Sequence, residues 1–202
     1  SSNEAGTITY GGSCSSSTTS AISGSNPITL KGSSSDNLTD NTTYSDCTVT
    51  VTDAAGNVSS SITISSFEVD TTAPSLVEVT AVKNPTNDQT PNYSFSSSQP
   101  GTISFEGSCS SATDNRSASA SDNNTITLRE SDNSSLDEGT YSDCKITVTD
   151  NVSNSVTLNI SSFIIDTTGP AVSSINPADN QSGVLRSKNI SVTFSEAMDT
   201  TS

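Results

Sequence analysis

Hydrophobic and polar residues alternate along most of the chain, and no segment carries the 3.6-residue apolar stripe of an amphipathic helix. The clearest alternating segments are Cys47-Thr-Val-Thr-Val51 and Cys144-Lys-Ile-Thr-Val148. A period of two indicates a half-buried strand, and the cysteines share the parity of the apolar residues, so they face the core. The pattern predicts an all-β protein.

Shorter alternating stretches predict further strands at 8–14, 28–30, 77–81, 93–95, 103–109 and 126–128. In the last strand before each linker the apolar parity changes at a Ser-Ser pair, once at 65–66 and again at 161–162. A change of parity inside one strand is typical of a β-bulge. We therefore expect a bulge at the same place in both copies.

The chain contains an internal repeat. The segment Gly6-Thr-Ile-Thr-Tyr10 recurs as Gly101-Thr-Ile-Ser-Phe105, and the two cysteine-containing strands above are a second matching pair. Equivalent positions lie 95 to 97 residues apart, which gives a module of about 96 residues. About seven short strands in such a module, with turn residues between them, predict a Greek-key β-sandwich.

The repeat divides the chain into three ranges. We expect residues 1–70 to be one repeat that lacks its first strands, because Ser1 aligns with Ser97. Residues 71–168 form a complete repeat, and residues 169–202 carry the opening strands of a third module. A chain that starts without Met in this way is typical of a piece of a longer secreted polypeptide.

Composition excludes several classes of function. Small hydroxyl side chains are abundant, with 45 Ser and 30 Thr, and 22 acidic residues stand against 7 basic ones, giving a net charge of −15. Nucleic acid and anionic membranes need Lys/Arg clusters that this sequence lacks. The sequence contains no His, and no apolar run is long enough to span a membrane, so we expect neither acid–base catalysis at neutral pH nor membrane insertion of this segment.

The chain resembles tandem bacterial immunoglobulin-like repeats of large surface proteins. The resemblance rests on the junction Asp70-Thr-Thr-Ala-Pro74, repeated as Asp166-Thr-Thr-Gly-Pro170, and on the turn Val51-Thr-Asp-Ala-Ala-Gly-Asn57. The second turn, Asp150-Asn-Val-Ser-Asn154, departs from this pattern. The segments after Pro170 look like the start of a different bacterial Ig-like subtype. The resemblance implies tandem Ig-like sandwiches on a bacterial cell surface.

Four cysteines allow three pairings, and the repeat selects Cys14 with Cys47 and Cys109 with Cys144, since each module then closes its own loop. Disulfides imply an oxidising, extracellular compartment. The alternative is four buried free thiols. A thin, Ser-rich core would gain about 3–4 kcal/mol from each bridge.

Oxygen-bearing side chains are expected to meet where one module joins the next. In a sandwich with alternating strand directions, the turn containing Asp150 and Asn154 lies at the end where the chain enters, beside Asp70. Carboxylate and amide oxygens at a junction predict a Ca²⁺ site. The alternative is that these residues only cap turns, which Asp and Asn favour.

The leading functional hypothesis is a structural spacer of a bacterial adhesin or biofilm-type surface protein, whose partners are neighbouring Ig-like repeats of the same polypeptide. The alternative is an Ig-like module that binds a glycan or protein of a host or matrix. The long loops at 15–26 and 110–124 carry no aromatic residue, which favours the spacer. No residue set indicates an enzyme, because the serines have no His partner and no acid is marked by an apolar setting.

The two ends of the chain permit two interpretations. The first repeat has no counterparts of 77–81 and 93–95 and would expose a groove, while the tail carries strand-like segments at 172–175 and 190–194. Fragment boundaries explain both ends more simply, because the tail resembles another Ig-like subtype and not the missing strands of the first repeat. Alternatively, the tail of one chain could fill the groove of the next and build a fibre.

Overall fold

A computed structural model describes residues 1–112 and 116–198, and within these residues every regular element is a β-strand. We use the predicted ranges 1–70, 71–168 and 169–202 as the first, second and third repeat. The loop residues 113–115, which belong to the predicted insert 110–124, and the last four residues lie outside the described part. The all-β, Ig-like fold predicted from the sequence is confirmed.

Six of the eight strands of the first repeat have counterparts in the same order in the second repeat. The first repeat contains β1 (Gly6–Gly11), β2 (Cys14–Ser15), β3 (Ser20–Ala21), β4 (Lys31–Gly32), β5 (Thr42–Tyr44), β6 (Thr48–Thr52), β7 (Ile62–Thr63) and β8 (Phe67–Val69). The second contains β9 (Leu76–Thr80), β10 (Asn92–Ser97), β11 (Gly101–Glu106), β12 (Ser117–Ala118), β13 (Ser121–Thr127), β14 (Gly139–Tyr141), β15 (Lys145–Thr149), β16 (Ser155–Asn159) and β17 (Phe163–Ile165). The third contains β18 (Val172–Asn176) and β19 (Ser191–Phe194).

The second repeat is a two-layer sandwich. One sheet has the strand order β12-β11-β15-β16 and the other β13-β10-β9, with all strand pairs antiparallel. Their inner faces share one core, to which Tyr93 and Phe95 contribute from one sheet and Ile146 and Val148 from the other, all four fully buried. Alternating apolar residues on each strand produce this arrangement, because one face of each sheet must be covered.

The first repeat keeps only one of these layers intact. Its sheet β3-β1-β6-β7 corresponds to the sheet β12-β11-β15-β16 of the second repeat, but residues 1–70 contain no counterpart of β9 and β10. The strand predicted at 28–30 does not form, although its equivalent at 126–128 lies largely within β13. That prediction was wrong because β13 takes its backbone partners from β10, which the first repeat lacks.

The parity change at the Ser-Ser pairs is not a β-bulge. Between the ladders β15–β16 and β14–β17 the main chain continues without a shift, and Ile160 N donates to Cys144 O at 2.9 Å. The buried residues change parity at this point on both strands. On one strand the buried residue Tyr141 is followed by Cys144, and on the other Ile160 is followed by Phe163. A bulge would add a residue to one strand only, whereas here the two strands turn over together.

No helix in the described residues is long and apolar enough to cross a membrane.

Candidate functional site

The turn that follows β15 is organised by one carboxylate. Oδ1 of Asp150 accepts hydrogen bonds from the main-chain N–H groups of Val152 and Asn154 at 2.9 and 2.8 Å, and Oδ2 accepts from Asn154 Nδ2 at 2.9 Å. Burial disfavours the charged carboxylate, but these hydrogen bonds outweigh it and hold the pKa of Asp150 below its ordinary value. Asp150 therefore fixes the turn and orients the side chain of Asn154.

The equivalent turn after β6 has the same length and the same network. Asp53 Oδ1 accepts from the N–H groups of Ala55 and Asn57, both at 2.8 Å, and Oδ2 accepts from Asn57 Nδ2 at 2.8 Å. Gly56 adopts a φ of 89°, and Ser153 takes the same place in the second turn with a φ of 77°. The departure in sequence from the first turn thus leaves its geometry unchanged.

Asn154 joins the second repeat to the linker. Its Nδ2 donates to the main-chain carbonyl of Asp70 at 3.1 Å, in addition to its bond with Asp150. The Asp70 carboxylate points elsewhere, because its Oδ1 accepts from Thr72 N at 3.0 Å in a local turn. The structure therefore brings the three predicted residues together, but Asp70 takes part through its main chain.

The first repeat also forms hydrogen bonds with this linker. Asp40 accepts a hydrogen bond from Thr71 N at 2.6 Å and another from the hydroxyl of Thr72. The Thr72 hydroxyl and then the Thr71 N–H group lower the pKa of Asp40 from its ordinary value. Two consecutive linker residues are thus tied to the body of the first repeat, while Asp70 O is tied to the second.

The carboxylate contact recurs at the second linker. Glu138 Oε2 accepts from the hydroxyls of Thr167 and Thr168 at 2.7 and 2.9 Å and from Thr167 N at 3.2 Å. These bonds, first those of the two hydroxyls, lower the pKa of Glu138. Sequence reasoning missed Asp40 and Glu138. The signal was the Thr-Thr pair repeated in both linkers, which needs an acceptor.

As arranged, the groups at the first junction do not fit calcium. Ca²⁺ takes six to eight oxygen ligands at about 2.3–2.6 Å. Here an amide nitrogen, a hydrogen-bond donor, stands between Asp150 Oδ2 and Asp70 O. No group of three His, Cys, Asp or Glu side chains within residues 1–112 and 116–198 is placed to hold a metal. The geometry supports a hydrogen-bonded contact, and calcium binding at Asp70, Asp150 and Asn154 stays a prediction.

A shallow cavity of about 350 Å³ lies beside this contact, lined by Asp70, Asp150 and the segment from Gln99 to Thr102. Gln99 Oε1 is buried there and has no hydrogen-bond partner among the residues that the structure describes. The cavity is bounded by residues of both the linker and the second repeat, so its shape depends on the junction staying closed.

The four cysteines stand in the predicted pairs. Cys14 and Cys47 are bonded, as are Cys109 and Cys144, each with a Cα–Cα distance of 5.2 Å. All four are almost fully buried. In each repeat one cysteine of the bridge, Cys47 or Cys144, lies where the strand pair changes its inward face, so the bridge ties this point to the segment that follows β1 or β11.

A carboxylate supports each bridge. Asp46 accepts from Ser13 N at 3.1 Å and Ser13 Oγ at 2.9 Å, and Asp143 makes the same two contacts with Ser108 at 3.2 and 3.0 Å. The Ser13 N–H group lowers the pKa of Asp46 most. The glycine before each serine has a positive φ, and a Cβ there would meet the carbonyl of the same Asp. The turn therefore requires Gly.

One comparison with known proteins found a family match. Residues 166–202 match the family model described as a bacterial Ig-like domain. No curated protein matches the chain. The match falls on the third repeat and the end of the linker that precedes it, and it confirms the resemblance to bacterial Ig-like repeats.

Proposed function

We propose that this chain is a structural spacer of a bacterial cell-surface protein, in which Ig-like repeats are joined end to end at restrained junctions. The proposal includes an extracellular location and no catalytic activity. Its support is the bacterial Ig-like match together with the arrangement of the first linker. A spacer must keep a constant length. The constancy of this length depends on the linkers more than on the modules.

The observation that carries the proposal is that residues 70–72 are bound from both sides. Asp40 of the first repeat accepts hydrogen bonds from Thr71 and Thr72, and Asn154 of the second repeat donates to Asp70 O. Each contact removes freedom from main-chain torsions that would otherwise act as a hinge. A linker of Gly and Ser without such contacts would behave as a flexible coil.

The contacts suit a surface exposed to changing salt. The Asp40 carboxylate accepts its hydrogen bonds from neutral N–H and O–H groups, and Asn154 donates to a main-chain carbonyl, so none of the three contacts is an ion pair between opposite charges. Charge-assisted hydrogen bonds such as those of Asp40 are stronger than bonds between neutral groups. The acidic surface contributes separately, because a net charge of −15 keeps neighbouring chains apart and soluble.

Solution X-ray scattering of the full chain, extrapolated to infinite dilution, tests the proposal. We expect an elongated particle whose maximum dimension shortens and whose flexibility increases in the double variant Asp40→Ala/Asn154→Ala. Asp36→Ala is the matched control, because Asp36 is an exposed acid of the first repeat away from the linker. Identical scattering from all three proteins would refute a restrained junction.

The ligand-binding alternative is tested separately. A glycan array probed with the full chain should show no specific signal above that of the same chain after thermal unfolding. Specific binding to one glycan class would favour the alternative, and the variants of the preceding experiment would show whether the junction cavity takes part.

A further inference from the structure

Within the described residues of the second repeat, one backbone pairing is parallel, whereas the ladders between its named strands are antiparallel. Thr86, in the segment after β9, forms this parallel bridge with Ile165 of β17. Thr86 N donates to Ile164 O at 3.0 Å, and Asp166 N donates to Thr86 O at 2.9 Å. The segment therefore joins the last strand of the module along the edge opposite to β14.

The side chain of Asn84 extends this pairing by two hydrogen bonds. Its Oδ1 accepts from Ile164 N at 3.0 Å, and its Nδ2 donates to Ser162 O at 3.4 Å. A side-chain amide carries both an acceptor and a donor, so it can take the place of the main-chain groups of a strand residue. The segment 84–86 thus makes four hydrogen bonds with residues 162–166.

A second polar contact joins the same two parts of the module. Glu78 of β9 accepts hydrogen bonds from Ser161 N at 3.0 Å and from Ser161 Oγ at 2.7 Å. Going along the chain, Glu78 meets Ser161, and Thr86 then meets Ile165. The two segments therefore run side by side in the same direction, from β9 to Thr86 on one side and from Ser161 to the end of β17 on the other.

The placement of Glu78 reverses the pattern of a half-buried strand. Val77 and Val79, its neighbours on β9, are 61 % and 51 % exposed, while the acidic side chain between them is turned toward Ser161. Burial of apolar side chains stabilises a strand, and these two valines contribute little of it. The first strand of the module is instead attached to the last part of the chain by polar contacts.

These contacts lie between the points where the chain enters and leaves the module. The linker 70–74 leads into β9, and β17 leads into the linker 166–170. Tension between the two linkers pulls the segment 84–86 toward the entry end and β17 toward the exit end. Because the two segments are parallel, the force acts along them and strains all their hydrogen bonds at the same time. The bonds of a hairpin that is pulled apart at its open end would break one after another.

We propose that the pairing of the segment 84–86 with β17 is a shear clamp, which keeps the second repeat folded when the polypeptide is under tension. The bridge Cys109–Cys144 and most of the core lie on the chain between the two clamp segments, so they are shielded from the force until the clamp opens. Forced unfolding is governed by the unfolding rate, so the clamp sets a barrier. The clamp does not depend on the restrained junctions, because these fix how modules are joined and the clamp resists the opening of one module.

Single-molecule pulling on the full chain tests the clamp. Handles attached through unnatural amino acids at the exposed positions Ala73 and Gly169 apply the force to the second repeat alone. Asn84→Ala removes two of the four hydrogen bonds, so the unfolding rate at constant force should rise roughly tenfold or more. Reducing the bridge Cys109–Cys144, whose cysteines are 35 residues apart, should lengthen the released chain by about 120 Å and so identify the module that opens.

A matched substitution away from the clamp separates its effect from general stability. The side chain of Asn124 in β13 also accepts from the main chain and donates to it, at Ser119 and Ser121. Because Asn124 is buried, Asn124→Ala should lower the stability toward denaturant at least as much as Asn84→Ala does. Its unfolding rate under force should nevertheless stay close to that of the parent chain, and equal acceleration by the two substitutions would overturn the proposal.

A second direction of pulling tests whether the effect follows the geometry. With handles at the exposed positions Ser98 and Ser131, the force acts on β10 against β13 and does not pass through the segment 84–86. Asn84→Ala should then leave the unfolding rate unchanged. The same acceleration in both directions, or none when the force is applied at Ala73 and Gly169, would show that the pairing with β17 is not a clamp.

Discussion

The first and second repeats have nearly the same strand sequences and very different interiors. Phe163 is fully buried, whereas its counterpart Phe67 is only partly buried, and the same holds for Ile146 against Val49. Among the residues that the structure describes, the hydrophobic core cluster of the second repeat contains 16 buried residues. That of the first contains three, which are Cys14, Tyr44 and Cys47. One missing hairpin accounts for the difference. An apolar side chain becomes a core residue only when a second layer covers it.

The comparison also separates local from cooperative structure. The turns at Asp53 and Asp150 and the stacked pairs Tyr44–Phe67 and Tyr141–Phe163, at 5.3 and 5.2 Å, are the same in both repeats. These features depend on residues close together on one hairpin. Strand β13 depends on a distant partner and is absent from the first repeat, because a strand needs a neighbour for its N–H and C=O groups.

Removing the disulfides should produce the largest effect and widen the difference between the repeats. By the chain-entropy model each bridge contributes about 3–4 kcal/mol to the free energy of unfolding. We expect Cys14→Ala/Cys47→Ala to unfold the first repeat, because both cysteines belong to its small cluster. Cys109→Ala/Cys144→Ala should leave the second repeat folded but less stable. Hydrogen exchange resolved along the chain measures both.

Equal protection factors in the two repeats after removal of their own bridges would contradict this prediction. It would mean that the first repeat is stabilised by a layer that these residues do not provide. The parent chain in its oxidised form, measured in the same solution, supplies the reference for each peptide.

Truncating the paired aromatic residue should have a smaller effect that differs between the repeats. Phe163→Ala should lower the free energy of unfolding of the second repeat by about 3–5 kcal/mol, the range for a fully buried Phe. Phe67→Ala should cost clearly less, because its side chain is only partly removed from water. Hydrogen exchange of each repeat, followed as a function of denaturant concentration, measures the two losses of unfolding free energy. Equal losses would contradict the claim that the two cores differ.

Much of the fold was predictable because the strands follow from short-range alternation of apolar and polar residues. The parity of 47–51 and 144–148 identified β6 and β15 and pointed the cysteines inward. The parity change near Ser65 and Ser161 was visible too, but its cause was not. The inward face also changes between Tyr44 and Cys47, so both strands turn over, and reading one strand alone suggested a bulge.

At the junction, the sequence placed Asp150 and Asn154 near Asp70 because turns follow strands at known ends of a sandwich. It did not indicate that Asp70 contributes its carbonyl, since a main-chain acceptor leaves no mark in the sequence. Asp40 and Glu138 were missed for a related reason. They stand at neighbouring rather than equivalent positions before β5 and β14, and the longer Glu side chain reaches the linker from one residue later.

Lowering the pH should loosen both junctions by a moderate amount. The pKa values of Asp40 and Glu138 are lowered in the folded chain, so their contribution is complete above the ordinary pKa, about 4, and is lost as the pH falls through the folded value. Fluorescence energy transfer between labels on the first and second repeats should report greater flexibility below about pH 4. These labels span only the first junction, so in Asp40→Asn the change should disappear. A pH response identical to that of the parent chain would exclude Asp40 as its source.

Calcium should have the smallest effect of all on the stability of the chain. Asn154 Nδ2 occupies the space between the two oxygens at the first junction, so the thermal unfolding of the full chain should be the same in millimolar Ca²⁺ and in chelator. A gain in melting temperature that Asp150→Ala abolishes would instead establish the predicted site, because a ligand of the native state stabilises by mass action.

The most direct measurement of a restrained junction is the distance distribution between spin labels at Thr63 and Asn159. These residues occupy equivalent, exposed positions at the ends of β7 and β16, on either side of the linker. In dilute solution of the full chain, pulsed electron resonance should give one narrow distribution that broadens in Asp40→Ala and again when Asn154→Ala is added. A broad distribution in the parent chain, unchanged by both substitutions, would contradict the account.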